Sequence, residues 1–436
     1  MSVKPFPEPR RFVKPSASTT RALAWSAMLA LVALALAAAQ DVAGVVVGPD
    51  RQPLPNIRIS LYGPRQNEPA VQAAAGAAAG AQPSESHGGD ALSRLRAHRR
   101  RIAETPAAPA DSAAVAAPTA GAIQGAPVRD RLAQGVTDAR GRFSLSVGRG
   151  QPALLALHGP DGVGRIALDK PGTASLTLVY PVRTTIVLLH DNDHHFHFGA
   201  RDAIAKKLQE IRQRHDHVFL LNAGDIFMRR PNRWRPRDSE DYYAERSLFM
   251  ITTMNELGYD AMTPGNHELD YIGRHTLNAL GAARFPLLAA NIQVSTDLLP
   301  QPLPYVTLAT ANDITLALLG LSTVNFKKEG VAETPPAHAV RDHLKLKDTH
   351  DVFVVLSHIG IGSDRKLAGS FDEIDVIVGG HSHTLLEEAV TVNGVLIAQA
   401  GQHNRHMGKI TLELENERIV SKKGVVFPLV ASPERR

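Results

Sequence analysis

The sequence predicts an α/β layered domain with a large sheet core over its second half, preceded by a small all-β domain. Three observations predict it. From residue 183 onward, apolar runs of strand length alternate with segments of helical periodicity. Between 41 and 180, apolar residues fall in short alternating pieces separated by turn residues, the pattern of short strands. Histidine, aspartate and asparagine gather where the strands of the second half end, and in layered α/β folds sites collect beyond strand ends.

Taken in order, residues 41–63 open the all-β part. Val45 to Val47 are β-branched, Gly48-Pro49-Asp50 is a turn, and Ile57, Ile59 and Leu61 alternate with polar neighbours. Residues 65–130 are rich in Ala, Pro, Gly and Ser, carry a basic knot at 94–101 and hold almost no bulky apolar residues. Such a segment cannot bury enough apolar surface to offset its ordering entropy, so it is read as a disordered insertion or long loop. Strand patterning resumes at 132. A turn at 137–141 feeds a strand with Phe143 and Leu145 on one face, and Leu154, Leu157, Ile166, Leu168, Leu176 and Leu178 mark further short pieces. In the second half, 184–189 reads as a buried strand, and Ile204, Leu208 and Ile211 have helical spacing. A strand at 218–221 follows. Leu248, Ile251 and Met254 mark a second helix, closed by Gly258. Further strands are expected at 286–290, 314–319, 352–356, 374–378, 395–398 and 409–414.

Composition narrows the chemistry. The chain has 436 residues, room for two domains, with 44% hydrophobic and 21% charged residues, a balance that supports a folded core. A net charge of +5 over that length is too weak to argue for nucleic acid. No nucleic-acid partner is expected. Cysteine is absent, which excludes disulfides, thiolate metal sites and a cysteine nucleophile. Any metal must be held by histidine, carboxylate and amide groups. Residues 22–39 are uncharged, follow Lys4, Arg10, Arg11, Lys14 and Arg21, and end in Ala37-Ala38-Ala39 before Gln40. Residues 1–39 therefore read as a signal peptide, and the protein as exported, to the periplasm or cell envelope. The alternative is an uncleaved anchor that would tether the chain to a membrane.

Five blocks carry the chemistry. His190-Asp191-Asn192-Asp193-His194-His195 follows the first strand of the second half, and Gly224-Asp225 follows the next. Gly265-Asn266-His267-Glu268-Leu269-Asp270, Ser357-His358 and Gly379-Gly380-His381-Ser382-His383 come after. Imidazole with carboxylate and amide oxygen suits Mn, Zn, Fe or Co. A carboxylate such as Asp225 can bridge two cations, which together lower the pKa of a bound water and clamp phosphoryl oxygens.

The order D-x-H, G-D, G-N-H-E, H, G-H-x-H resembles the signature of the calcineurin-like metallophosphoesterases. Asn192 to His195, the run 265–270, Pro286-Leu287-Leu288 with Ala290-Asn291-Ile292, and the run 379–384 are similar to the 5′-nucleotidase branch. The resemblance spans roughly 183–415 and implies a catalytic domain over 183–428. It implies a layered β-sandwich flanked by helices, and two divalent metal ions. Asp193, His195, Asp225 and His383 would hold the first, and Asp225, Asn266, His358 and His381 the second. His267 would be the catalytic histidine near the leaving group, oriented by Asp270, with a hydroxide on the metals as the attacking group. The substrate implied is a small phosphorylated molecule, a phosphomonoester, with nucleotides among the candidates. A phosphodiester or a nucleotide-sugar pyrophosphate would suit the same chemistry. The segments 44–61 and 137–145 resemble a carboxypeptidase regulatory-like β-sandwich, which implies a non-catalytic domain over 41–180.

His190, His194 and His197 lack the D-x-H spacing and are read as lying behind the ligands or in solvent. Glu268 fits the motif without a ligand role, and His403 and His406 are read as surface residues. Where the family carries a short Gly- and Ser/Thr-bearing loop after G-D, this chain has Arg229, Arg230, Arg233, Arg235 and Arg237. Such a loop would draw in anionic substrates, because guanidinium pairs bidentately with phosphate; the other reading is a solvated loop. Replacing Arg229 and Arg230 with Ala is expected to raise KM, and an unchanged KM would remove the idea. No counterpart of the family's nucleotide-grasping C-terminal domain is expected. The reading from another class, a non-catalytic envelope binding or scaffold protein, would be marked by lost ligands, and no ligand position is lost.

Overall fold

The computed structural model describes residues 40–65, 129–147, 154–168, 175–228, 240–270, 274–295, 299–325 and 329–429. The proposed export segment, the interior of the insertion (66–128), Arg229 and Arg230 lie outside the described residues. The described residues divide into two compact units, 40–64 with 129–182, and Arg65 with 183–429.

The first unit is all-β. Its strands are β1 (Gln40–Val47), β2 (Arg58–Arg65), β3 (Arg129–Val136), β4 (Arg142–Val147), β5 (Leu154–Gly159), β6 (Gly162–Ala167) and β7 (Leu176–Val179). They form one sheet of order β4-β1-β7 and one of order β3-β2-β5-β6. The alternation of Ile57, Ile59 and Leu61 sends all three into one core with Phe143, Leu145, Leu155, Leu157 and Leu178. The turn at 137–141 is where it was expected. The Asp138 carboxylate accepts the Arg140 and Arg142 N–H groups at 2.8 and 2.9 Å. β3 starts at Arg129, earlier than the patterning, because Arg129 to Arg131 hold strand pairing without apolar side chains.

The second unit begins with β8 (Arg183–Asp191), α1 (Arg201–Arg212), β9 (His217–Asn222), α2 (Glu240–Leu257), β10 (Ala261–Met262), α3 (Asn266–Asp270) and α4 (Arg274–Gly281). Then come β11 (Ile292–Val294), β12 (Tyr305–Ala309), β13 (Thr315–Leu321), β14 (Val331–Glu333), α5 (Pro336–Asp342), α6 (Leu346–Thr349), β15 (Val352–Ser357) and α7 (Ile361–Ser370). It closes with β16 (Val376–Val378), β17 (Val390–Val392), β18 (Val395–Ala398), β19 (His406–Glu415) and β20 (Arg418–Pro428).

Two large sheets organise it, of order β10-β9-β8-β19-β20 and β12-β13-β15-β16-β18-β17. The space between them is filled by Ile186, Leu188, Leu221, Leu316, Leu318, Val354, Leu356, Ile410 and Leu412. The outer face of the first sheet packs on α1, α2 and α4 through Val187, Leu189, Ile204, Leu208, Ile251 and Met254. The outer face of the second packs on α5 and α7 through Ala317, Leu319, Val340, Phe353, Val355 and Leu367. The result is helices, sheet, sheet, helices. Strands such as 352–357, buried at every position, read as unbroken apolar runs because both their faces are covered.

Two elements differ from the expectation. Segment 286–290 forms no strand and makes only single bridges, Met262 to Leu287 and Leu288 to Leu303. Gly320 runs so close to Leu288 that a Cβ there would lie 2.2 Å from the Leu288 carbonyl oxygen. The second helix begins at Glu240, a full two turns before Leu248; of this first stretch Tyr243 enters the core, a single apolar anchor too sparse to read as periodicity. Among the described residues no helix is long and apolar enough to cross a membrane.

Topology aims the chemistry. β8, β9 and β10 run parallel to one another, as do β13, β15, β16 and β18. Their C-terminal ends deliver the five blocks to one edge of the double sheet. β19 runs antiparallel to β8, with Gly408 opposite His190, so the segment entering β19 also reaches that edge.

Candidate metal centre

Asp193 and His195 follow β8, Asp225 follows β9, Asn266 opens α3, His358 follows β15, and His381 and His383 follow β16. Chains leaving strands must turn sharply to face the opening, and the backbone records it. Asp193, His195, Asp225, His381 and His383 all have positive φ, between 49° and 71°. Left-handed backbone in non-glycine residues costs free energy and persists where the surroundings enforce it, typically at functional sites. Gly265 is required for a different reason. A Cβ at that position would sit 2.1 Å from Asp225 Oδ1.

The side chains converge. His195 Nε2 lies 3.0 Å from His383 Nε2, and Asp193 Oδ1 lies 3.3 Å from His383 Nε2 and 3.7 Å from His195 Nε2. On the other side, Asp225 Oδ2 is 3.2 Å from His358 Nε2, and His381 Nδ1 is 2.8 Å from Asn266 Oδ1. Donor atoms of Asp225, His358 and His381 lie within 4.8 Å of one another, as do those of His195, Asp225 and His267. Asp225 is common to both groups.

These donors fit a metal. Asp193 Oδ1 and His358 Nε2 are buried without a hydrogen-bond partner, an arrangement that is costly unless a cation takes up the lone pairs. Ligands about 2.0–2.2 Å from a tetrahedral ion stand roughly 3.3 Å apart, close to the separations in the Asp193, His195, His383 group. The far nitrogens are oriented as well. His195 Nδ1 faces the Phe227 carbonyl at 3.2 Å, and His358 Nδ1 faces the Ala223 carbonyl, which leaves each Nε2 for the centre.

Charge is balanced inside the group. Burial works to raise the Asp225 carboxyl, but the adjoining His358 and His267 imidazoles override it and hold it well below the usual carboxylate range. Burial pushes His195 down to about 4. His267, also lowered by burial against the opposing pull of Asp225, is part-exposed, with Nε2 3.8 Å from Asp225 Oδ2. Its ring is 4.7 Å from that of His195. The negative charge of Asp270 raises its proton affinity, and Asp270 Oδ1 is itself fixed by the Asn325 N–H at 2.9 Å.

Several residues do more here than the sequence suggested. Glu268, with no exposed surface, accepts the backbone N–H groups of Asp225, Phe227 and Gly265 at 3.0, 2.8 and 2.7 Å. It ties the G-D loop to the G-N-H-E loop. Asn192 donates to Asp193 Oδ2 and the Gly401 carbonyl at 2.6 and 2.7 Å and accepts the Ala400 N–H. The motifs named both residues, yet their work is with backbone groups, which carry no sequence pattern. His190 and His194 are fully buried, so neither is solvated. His190 lies against Gly408, whose absent Cβ would meet its Nε2 at 2.0 Å, and His194 pairs with Asp191 at 3.1 Å. His403, expected on the surface, stands beside the centre instead, its ring 5.7 Å from that of His195.

Residues 186–385 match the calcineurin-like phosphoesterase family. The chain carries a calcineurin-like phosphoesterase domain, a family whose activity depends on divalent metal ions. Among its curated relatives are the trifunctional nucleotide phosphoesterase protein YfkN of Bacillus subtilis, 26% identical over 54% of this chain and 18% of that one, and a snake venom 5′-nucleotidase of Gloydius brevicauda, 29% identical over 46% and 37%. Protein UshA of Salmonella pullorum is 30% identical over 53% of this chain and 49% of its own length. The phosphoesterase domain therefore spans half or less of these relatives. A solved 5′-nucleotidase precursor from Thermus thermophilus aligns with a TM-score of 0.48 at 26% identity, covering 56% of this chain and 54% of that one.

Proposed function

We propose that this protein hydrolyses phosphomonoesters, nucleotides among them, with two divalent cations. Asp193, His195, Asp225 and His383 hold one, and Asp225, Asn266, His358 and His381 the other. The observation that carries this reading is the place of Asp225, whose carboxylate lies within 4.8 Å of donor atoms of His195 on one side and of His358 and His381 on the other. When bound, such cations activate a water for attack and neutralise charge on the phosphoryl oxygens.

The chain's own residues do the rest. Asn266 at the start of α3 and the histidines beyond the strand ends fix donor positions, so little reorganisation is needed when charge develops. His267, part-exposed at the opening, holds a proton on Nε2 beside the position where a leaving oxygen departs. Asp270 orients that imidazole, and its charge opposes the lowering of His267 by burial. Export through residues 1–39 places the reaction outside the cytoplasm, and Arg229 and Arg230 draw in the anionic substrate. The nucleotidase relatives support nucleotides as substrates. Phosphodiesters and nucleotide-sugar pyrophosphates are the competing substrates, and a panel of all three ranks them by kcat/KM.

Removing metal tests the core of the reading. Dialysis against a chelator is expected to lower turnover of a chromogenic phosphomonoester by roughly 100-fold or more, given the several kcal/mol that metal ions supply. Adding Mn²⁺ restores it at two ions per chain, measured by elemental analysis. Turnover indifferent to chelation, or saturation at a single ion, overturns the dinuclear reading.

A further inference from the structure

His403 lies outside every donor group of the centre, yet the fold spends several contacts to hold it there. It sits in the segment between β18 and β19. Asn192 clamps the start of this segment by bonding to Ala400 and Gly401. The His403 N–H donates to the Asp193 carbonyl at 2.8 Å. Asn404 Nδ2 then donates to the His197 carbonyl at 3.2 Å, and the Arg405 carbonyl accepts the Leu429 N–H. His403 and Asn404 are consecutive non-glycine residues at φ 60° and 54°. Two left-handed residues in a row are strained, and here the strain turns the side chain back toward the block that carries Asp193 and His195.

The ring that results is well placed and unused. It stacks on His197 at 4.1 Å between centroids, with 26° between planes. It stands 5.7 Å from His195 and 6.4 Å from His383. His197 is fixed in turn, with Nδ1 against the His194 carbonyl at 3.0 Å. The side chain of His403 is neither fully buried nor fully exposed. A histidine that only filled space would not need a strained backbone and a stacked partner to hold its face toward the centre.

We propose that His403 is a substrate-contacting residue: its imidazole donates a hydrogen bond to a phosphoryl oxygen of the substrate, on the side of the centre formed by Asp193, His195 and His383. This rests on the phosphoesterase reading for the identity of the ligand. A neutral or charged imidazole each offers at least one N–H, and a hydrogen bond to an anionic oxygen is among the stronger kinds. The stack on His197 fixes the ring plane, so donor direction is set before substrate arrives.

The test uses the full chain loaded with Mn²⁺ and inorganic phosphate as the probe. His403→Gly removes the ring at a backbone position glycine favours, and the contacts of the segment's backbone stay. His403→Gln restores a side-chain N–H donor. Calorimetry is expected to show phosphate binding about tenfold weaker in the Gly variant, as for the loss of one charge-assisted hydrogen bond, partly recovered in Gln. Metal content and unfolding midpoint stay unchanged, and kcat/KM for the phosphomonoester falls in parallel. Phosphate affinity within twofold of the parent overturns the proposal, and so does loss of bound metal in both variants, which would make His403 a structural prop of the centre. A parent that binds phosphate His403-dependently yet turns over no phosphoester would leave this contact standing and remove the hydrolase reading.

Discussion

Asp225→Asn is expected to lower turnover by roughly 10³-fold or more, the equivalent of the several kcal/mol that shared metal ions contribute to a charged transition state. The substitution is mild in shape. Oδ1 of Asp225 accepts the His267 N–H at 2.8 Å, and an amide oxygen can do the same, so α3 keeps its anchor. What disappears is the negative charge 3.2 Å from His358 Nε2 and 3.8 Å from His267 Nε2. Asp225 is the one carboxylate common to two of the candidate donor groups, so on the dinuclear reading both ions would lose a ligand at once. On the dinuclear reading the two cations would then face each other with Asp193 as the remaining carboxylate among the proposed ligands, the imidazoles being neutral donors. The measurements are kcat and metal content of a folded variant, with near-native thermal unfolding as the control for shape. Activity within tenfold of the parent at full metal loading would mean that Asp225 bridges nothing.

Much of this centre was legible in the sequence, because metal ligands must be particular residue types and strand ends must be followed by turns. D-x-H, G-D and G-H-x-H state both conditions within a few residues. Asp193, His195, Asp225, Asn266, His358, His381 and His383 all come to one edge of the double sheet for that reason. The long-range terms were not legible. His403 reaches the centre only because β19 lies antiparallel to β8 in the register that sets Gly408 against His190, and no local pattern encodes a register between strands more than 200 residues apart. His190 and His194 look polar in a polar run, yet one fits against a glycine of the neighbouring strand and the other finds Asp191. Segment 286–290 has strand composition but lies between sheet edges, where it pairs one residue at a time. Strand composition therefore predicted burial correctly at Leu287 and Leu288 and predicted the pairing wrongly.

Glu268 illustrates the same limit and leads to the largest expected effect on stability. Its carboxylate is fully buried and accepts three backbone N–H groups, from Asp225, Phe227 and Gly265. Burial, and after it the charge of Asp225, push its pKa up to about 7, so the residue is held at an electrostatic cost that its backbone donors offset only in part. Glu268→Ala leaves those amides without a partner in a site closed to water. At roughly 1–3 kcal/mol for each unsatisfied group, with incomplete additivity, the expected loss is about 3–6 kcal/mol of folding stability, a large share of what a domain of this kind possesses. Glu268→Gln should cost less. One amide oxygen can serve two of the donors, while the NH₂ group opposes the third, for a loss of about 1–3 kcal/mol, lessened by relief of the repulsion with Asp225. The ordering Ala, then Gln, then parent, in urea unfolding midpoints of metal-free protein, separates this clamp from any role in metal binding. An Ala variant within about 1 kcal/mol of the parent would contradict it, because three amides cannot find new partners where Asp225, Phe227 and Gly265 are themselves fixed by the turns that aim the candidate metal ligands.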